Sequence, residues 1–375
     1  MIYLDYSANT PVDARVLEQF CAVERRCIGN ANSHHQAGSA AKAEIDAATI
    51  KIASLLGVQP AEIIYTSGAS EANNFALKGL ARLSRHAGRH IISTPLEHSS
   101  VSGTLTALQE QGYGIDLLDV KQDGTVDLEH LKDLLRPDTI CVAVTLVDSE
   151  LGVVQPVQEI AAILKAYPHC HLHVDATQAV GKIPVSFEGV DTMSLTAHKF
   201  YGLNGIGLLI KRRNLALEPL IHGGESTTIY RSGTPTVALA SSLACALDLA
   251  VTDLPERVDH VAKLNAELRA AFSTYPLVRI NSPEHAIPHM LNLSVRNVKG
   301  TVFQRELDAK GVCVSVKSAC SSDGLPSRAV FAVSHDRRNA LSSWRISLSH
   351  LTTEDEIKAF LQAFDVCYRE LTAVH

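Results

Sequence analysis

From Ile63 onwards, short apolar runs alternate with longer stretches in which apolar positions recur at helical spacing. The pattern predicts strands over 63–66, 91–94, 113–118, 140–147 and 171–174. Helices are predicted from about Ser70 to His86 and over 99–111, 127–135 and 157–166. Strand and helix in strict alternation argue for a mostly parallel sheet covered on both faces. Before this region, Asp13 suits the cap of a helix reaching about Cys27. A second helix, about Gly38 to Leu56, carries Ile45, Ile52, Leu55 and Leu56 on one side and ends at Gly57. Beyond it come a strand over 206–210, helices over 237–250, 257–274 and 301–310, and a strand over 291–295. A last helix opens at Thr353, whose spacing to Glu356 forms a capping box. Asp253-Leu254-Pro255 reads as a hinge. The expected division is a large domain, 13–250, and a smaller one made of 1–12 with 251–375.

Composition adds little and excludes some classes. Apolar residues make up 46% and charged residues 20% of the 375, as in ordinary globular chains. A net charge of −6 favours neither nucleic acid nor an anionic membrane as a direct partner. No run approaches a membrane span, and the start lacks a secretory pattern. The eight cysteines show no Cys-x-x-Cys pair or paired-ligand spacing, so reduced thiols and a cytoplasmic location are expected, with no metal site.

Three stretches carry chemistry. Ser194-Leu195-Thr196-Ala197-His198-Lys199 holds a lysine on a short constrained segment with a hydroxyl three residues before it, a setting suited to an imine-forming amine. Cys170-His171-Leu172-His173-Val174-Asp175 reads as a buried strand ending in a carboxylate, and such ends face the ligand crevice of α/β sheets. Ile63-Ile64-Tyr65-Thr66 runs through Ser67-Gly68-Ala69-Ser70 into a helix, which makes an anion site, with Ser70 as the expected N-cap. A lysine imine, a carboxylate for a pyridinium nitrogen and a phosphate cradle are together the needs of pyridoxal 5'-phosphate.

These stretches occur with Glu97-His98, Gln178, Arg231-Ser232-Gly233-Thr234 and Ser318-Ala319-Cys320 in an order that resembles the cysteine desulfurases of the class V aminotransferase group, of the nitrogen-fixation and iron–sulfur-cluster type. The resemblance runs from Tyr3 to Arg345. It implies an α/β, fold-type I pyridoxal-phosphate-dependent transferase with a mixed, mostly parallel sheet in the large domain and a smaller α+β domain. It also implies a homodimer with shared active sites. By the same resemblance Lys199 binds the cofactor covalently, Asp175 pairs with the pyridinium nitrogen, and His98 stacks on the ring and moves protons. Gln178 and Ser149 meet the phenolic oxygen. Ala69, Ser70, Thr196 and His198 meet the phosphate, and Thr234 reaches the phosphate in the other subunit. Asn30, Ser149 and Arg345 contact the substrate, with Arg345 clamping its carboxylate. Cys320 is the nucleophile that takes sulfur from L-cysteine for a protein acceptor, serving iron–sulfur assembly, tRNA thiolation or DNA phosphorothioation.

The chain departs from the family pattern at Ala31, Ser149, 225–230 and Val316-Lys317. Ser149 stands where an asparagine is usual and has a shorter reach. Val316 stiffens the base of the Cys320 loop, and Lys317 adds a cation near the thiol. The departures at Ser149, 225–230 and Val316-Lys317 point to a desulfurase reserved for one acceptor. Two rival readings are an aminotransferase or lyase without sulfur transfer, and a partner-binding scaffold with weak catalysis.

Overall fold

The computed structural model describes residues 1–224, 227–317 and 325–373. The strands are β1 (Ile2–Tyr3), β2 (Ile63–Thr66), β3 (His90–Ser93), β4 (Gly114–Leu117), β5 (Thr139–Thr145), β6 (His171–Asp175), β7 (Thr192–Thr196), β8 (Gly207–Lys211), β9 (Val278–Ile280), β10 (Met290–Val295), β11 (Val312–Cys313) and β12 (Ser343–Ser347). The helices are α1 (Ala14–Arg26), α2 (Gln36–Leu56), α3 (Ala69–Leu83), α4 (Ser99–Gln109), α5 (Leu128–Leu134), α6 (Val157–Leu164), α7 (Val237–Thr252), α8 (Leu254–Phe272), α9 (Gly300–Ala309), α10 (Arg328–Ser334), α11 (Arg337–Ser342) and α12 (Glu354–Thr372).

A seven-stranded sheet in the order β2-β8-β7-β6-β5-β3-β4 forms the centre. Only β8 runs against its neighbours, so the sheet is mixed and mostly parallel, as the βαβ rhythm predicts. Strand alternation sorts its side chains onto two faces. Val142, Val144, Leu172 and Val174 join α1, α2 and α7 in one core, while Ile64, Ile91, Cys141 and Leu209 pack under α3 and α4 in another. Helices on both faces leave the carboxyl ends of the parallel strands as the place where polar groups gather.

A three-stranded antiparallel sheet, β12-β10-β9, builds a separate core with α8, α9 and α12. Trp344 stacks on Phe303 there, with centroids 5.2 Å apart. β1 pairs in parallel with β11, so the N-terminus belongs to this core, whereas Thr10 and Asp13 bond the carbonyls of His198 and Tyr201 beside the central sheet. Asp253 is a corner between α7 and α8, which meet at 64°, and Pro255 lies in the first turn of α8, where its missing N–H is tolerated. The capping box at Thr353 and Glu356 is present.

The expected Ser70 cap is corrected. α3 opens at Ala69, and the N-cap position is Gly68, at φ +153° with no side-chain cap. The reason is crowding: a Cβ on Gly207 would lie 2.7 Å from the Gly68 Cα. β8 and the turn after β2 touch backbone to backbone, and the positive φ requires glycine.

Candidate active site

One cavity of ≈ 330 Å³ opens at the carboxyl ends of β2, β5, β6 and β7. Its wall includes Ala69, Ser70, His98, Ser149, Asp175, Gln178, Thr196, His198, Lys199 and Arg345. Residues spread over nearly the whole chain therefore meet: those of the central sheet lie at or just beyond a strand end, whereas Arg345 sits in the middle of β12. Asn30 and Thr234 are not in the wall. Asn30 is exposed and turns its side chain back to accept from the Asn32 amide. Thr234 is exposed, on a loop fixed by an Arg231–Glu71 ion pair of 2.9 Å to the first turn of α3. Cys320, with Ser318 and Ala319, lies outside the described residues.

The anionic and cationic poles are separately built. On one side, the first amides of α3 have no side-chain cap among the described residues, and Thr196 and His198 join them in the wall, their Oγ1 and Nδ1 3.1 Å apart. Burial, then the charges of Lys199 and Lys182, push the His198 pKa down to about 4, so its ring is neutral near pH 7. Lys199 donates from Nζ to the carbonyls of Ser7 and Ala8 at 2.7 and 2.6 Å. This amine is thus aimed by the N-terminal segment, whose Ser7 and Ala8 line the cavity.

Opposite stands Asp175. Its Oδ1 accepts from the Thr177 amide at 2.9 Å and its Oδ2 from Asn73 Nδ2 at 2.8 Å. Asn73 also donates to Ser100 Oγ at 2.9 Å, and its Oδ1 meets His173 Nε2 at 3.0 Å and Ser194 Oγ. A carboxamide has two donors and two acceptor lone pairs, so every bonding position of buried Asn73 is used. Sequence reasoning missed Asn73. The available signal was a polar residue between Ala72 and Phe75 on a helix face that otherwise reads as core.

His98 caps α4 by accepting the Ser100 amide on Nδ1 at 3.1 Å, which places its proton on Nε2. Burial, partly opposed by the charge of Asp175, holds its pKa below the usual value. Glu97, next to it, is buried and accepts on Oε1 from Thr94 Oγ1 at 2.7 Å and the Thr145 amide at 2.8 Å, tying the turn after β3 to the end of β5. Burial pushes the Glu97 pKa up to about 8, so the carboxyl is neutral at pH 7.

Arg345 comes from the other core. Trp344 and Arg345 point to opposite faces of β12, so packing Trp344 inward turns the guanidinium towards the cavity. It is 1% exposed, with Asp5 Oδ1 at 3.0 Å from Nη2 and the Ser149 carbonyl at 2.5 Å from Nη1. Its Nε has no partner among the described residues. Lys317, expected near the thiol, donates to the Leu325 carbonyl at 3.0 Å.

These residues fit a phosphorylated pyridine aldehyde with an amino acid beside it. There is an anion cradle, an amine, a carboxylate held by two N–H donors, a neutral imidazole and a guanidinium with a buried N–H that has no partner among the described residues. Thr177 Oγ1, also buried in the wall, has no partner among the described residues.

The aminotransferase class-V family profile matches residues 2–360. A cysteine desulfurase IscS of Proteus mirabilis is 40% identical over 365 residues, covering 95% of this chain and 90% of that protein. A solved NifS-like protein superposes with a TM-score of 0.92 at 36% identity, covering 99% of each chain. A structure of SspA in complex with cysteine has a TM-score of 0.83 at 30% identity, covering 94% of this chain and all of that one.

Proposed function

The chain belongs to the class-V aminotransferase family, with relatives of the NifS and IscS type, and from that premise we propose that it is a pyridoxal-phosphate-dependent cysteine desulfurase. It converts L-cysteine and a thiol of the chain to L-alanine and a persulfide. The observation that carries this reading is the single cavity joining Lys199, Asp175, His98 and Arg345.

Lys199, His198, Thr196, Ala69, Ser70, Gln178 and Asp175 would hold the cofactor. When bound, it supplies an electron-poor ring that accepts the electron pair released at the substrate's α-carbon. Asp175, braced by Asn73 and the Thr177 amide, would pair with the ring nitrogen and favour its protonated form. Arg345 binds the substrate carboxylate, for which a guanidinium offers two parallel N–H donors. Ser149 would lie beside a carboxylate held there, because its own carbonyl is bonded to Arg345. Lys199 Nζ and His98 Nε2 are the groups that hold and move protons near the α-carbon. The Cys320 thiolate attacks the substrate sulfur. The S–S bond forms, the C–S bond breaks, and the carbon side takes up a proton to leave as alanine. The persulfide then passes to a protein acceptor.

A homodimer with shared sites is part of the proposal. Its support is Thr234, exposed on a loop that Arg231 ties to Glu71 at the cavity rim, where it can serve a second copy. Narrow acceptor choice rests on Ser149, the 225–230 stretch and Val316-Lys317, with Val316 packed on the smaller core.

The test is mass spectrometry of the purified protein after L-cysteine, with alanine measured in parallel. One added sulfur on the Cys320 peptide and release of alanine are expected. The C320S variant should keep the cofactor and lose the persulfide. Undiminished sulfur transfer by C320S overturns the assignment.

A further inference from the structure

Behind Lys199 lies a second, narrower chamber that the proposed reaction does not use. Lys182, 6% exposed, enters it from the turn after β6. Among the described residues its ammonium has two acceptors: Gln178 Oε1 at 3.3 Å and the backbone carbonyl of Lys199 at 3.4 Å. The rest of the wall is cationic or neutral, with Tyr6, Tyr201, Arg257, His289 and His350 facing inward. Arg257 is already paired with Asp253 at 2.9 Å, and the charge of Arg345 also reaches Lys182. No carboxylate lines the chamber among the described residues. A buried ammonium without a counter-ion is costly to keep and marks a group with a task.

A lysine only donates, so Gln178 must turn Oε1 towards it. On the other side, the Ser7 carbonyl only accepts, and it meets Gln178 Nε2 at 2.9 Å. Two one-sided neighbours leave the carboxamide a single orientation: one Nε2 hydrogen goes to Ser7, and the other is left for the cavity that Gln178 lines. The same Ser7 carbonyl accepts from Lys199 Nζ at 2.7 Å. Lys182, Gln178, Ser7 and Lys199 thus form one bonded chain, with a cation at each end.

We propose that Lys182 is a positioning residue: it locks the Gln178 carboxamide donor-side to the cavity and sets a positive field that discourages protonation at the Lys199 nitrogen. The inference rests on the pyridoxal phosphate reading. The same proximity acts in reverse, since burial and then the charges of Lys199 and Arg345 bring the Lys182 pKa down to about 7.

The experiment is a pH titration of the visible absorption band of the holoenzyme, with cofactor content and thermal melting measured on the same samples. In K182M the folded, cofactor-loaded protein should show its band midpoint raised by about one pH unit, because a nearby cation has been removed. Cofactor should dissociate faster as Gln178 loses its fixed orientation. His289→Asp is the independent variant. Its carboxylate shares the chamber with Lys182, cancels the field without removing the lysine, and should also raise the midpoint. A midpoint that stays within about 0.2 units of wild type in either variant that folds overturns the proposal, since a merely space-filling lysine would leave it there. Absence of any visible band in the wild type refutes the cofactor reading instead.

Discussion

Replacing Asn73 by alanine is the sharpest probe of how the site is supported. Asn73 is 0% exposed and bonds Asp175, Ser100, His173 and Ser194 at once. Truncation does not affect the four partners equally. Ser100 keeps His98, and Asp175 keeps the Thr177 amide. His173 keeps Thr192 on Nδ1 but loses its Nε2 partner, and Ser194 loses the hydrogen bond its hydroxyl makes to Asn73. Two stranded buried groups at about 1–3 kcal/mol each, with a weakened Asp175, suggest a loss of about 3–5 kcal/mol. For 375 residues the unfolding entropy near the midpoint is about 0.8 kcal/mol/K, so the melting temperature should fall by about 4–6 °C. Circular dichroism melts of N73A, alongside the visible band of bound cofactor, measure both the stability and the site. The isosteric N73D separates shape from hydrogen bonding. It sets a second carboxyl 2.8 Å from Asp175 in place of a donor, so the two must share a proton, and cofactor retention should fall as pH rises. If N73A melts within about 1 °C of wild type and keeps its cofactor band, Asn73 is not a support and the account of Asp175 fails.

Two further outcomes follow from the same geometry. The folded-state pKa of Glu97, about 8, lies above its unfolded value, so its contribution is fully present below about pH 4.5 and is lost as pH rises to 8. Asp148, raised by burial to about 7, acts in the same direction. E97Q, whose amide oxygen can accept both existing donors, should flatten the fall of melting temperature between pH 5 and 8; an unchanged slope would show that Glu97 does not titrate there. In G207A the new methyl would meet the Leu195 carbonyl at 2.5 Å and the Gly68 Cα at 2.7 Å. Backbone must move, so G207A should weaken binding of added cofactor by tenfold or more while far-ultraviolet circular dichroism stays near wild type; unchanged binding would remove Gly68 from the cradle.

Much of the fold was legible in the chain itself because its signals are local. Short apolar runs bounded by helical stretches determine the strands, the βαβ order determines a mostly parallel sheet, and Thr353 with Glu356 marks a helix start by spacing alone. Lys199, Asp175 and the Ser67–Ser70 turn were visible because each sits at a strand end, which is itself a sequence feature. Contacts between distant segments were not visible. That Gly68 rather than Ser70 caps α3 is decided by β8 pressing against the turn. That Arg345 faces the cavity follows from where Trp344 is buried, and its two partners, Asp5 and Ser149, come from opposite parts of the chain. Asn73 and Lys182 read as one polar residue in a core helix and one ordinary lysine. Only the approach of β6, α3 and the N-terminal segment turns them into the supports of Asp175, Gln178 and Lys199, because hydrogen-bond complementarity is a property of neighbours in space and leaves no period in the sequence.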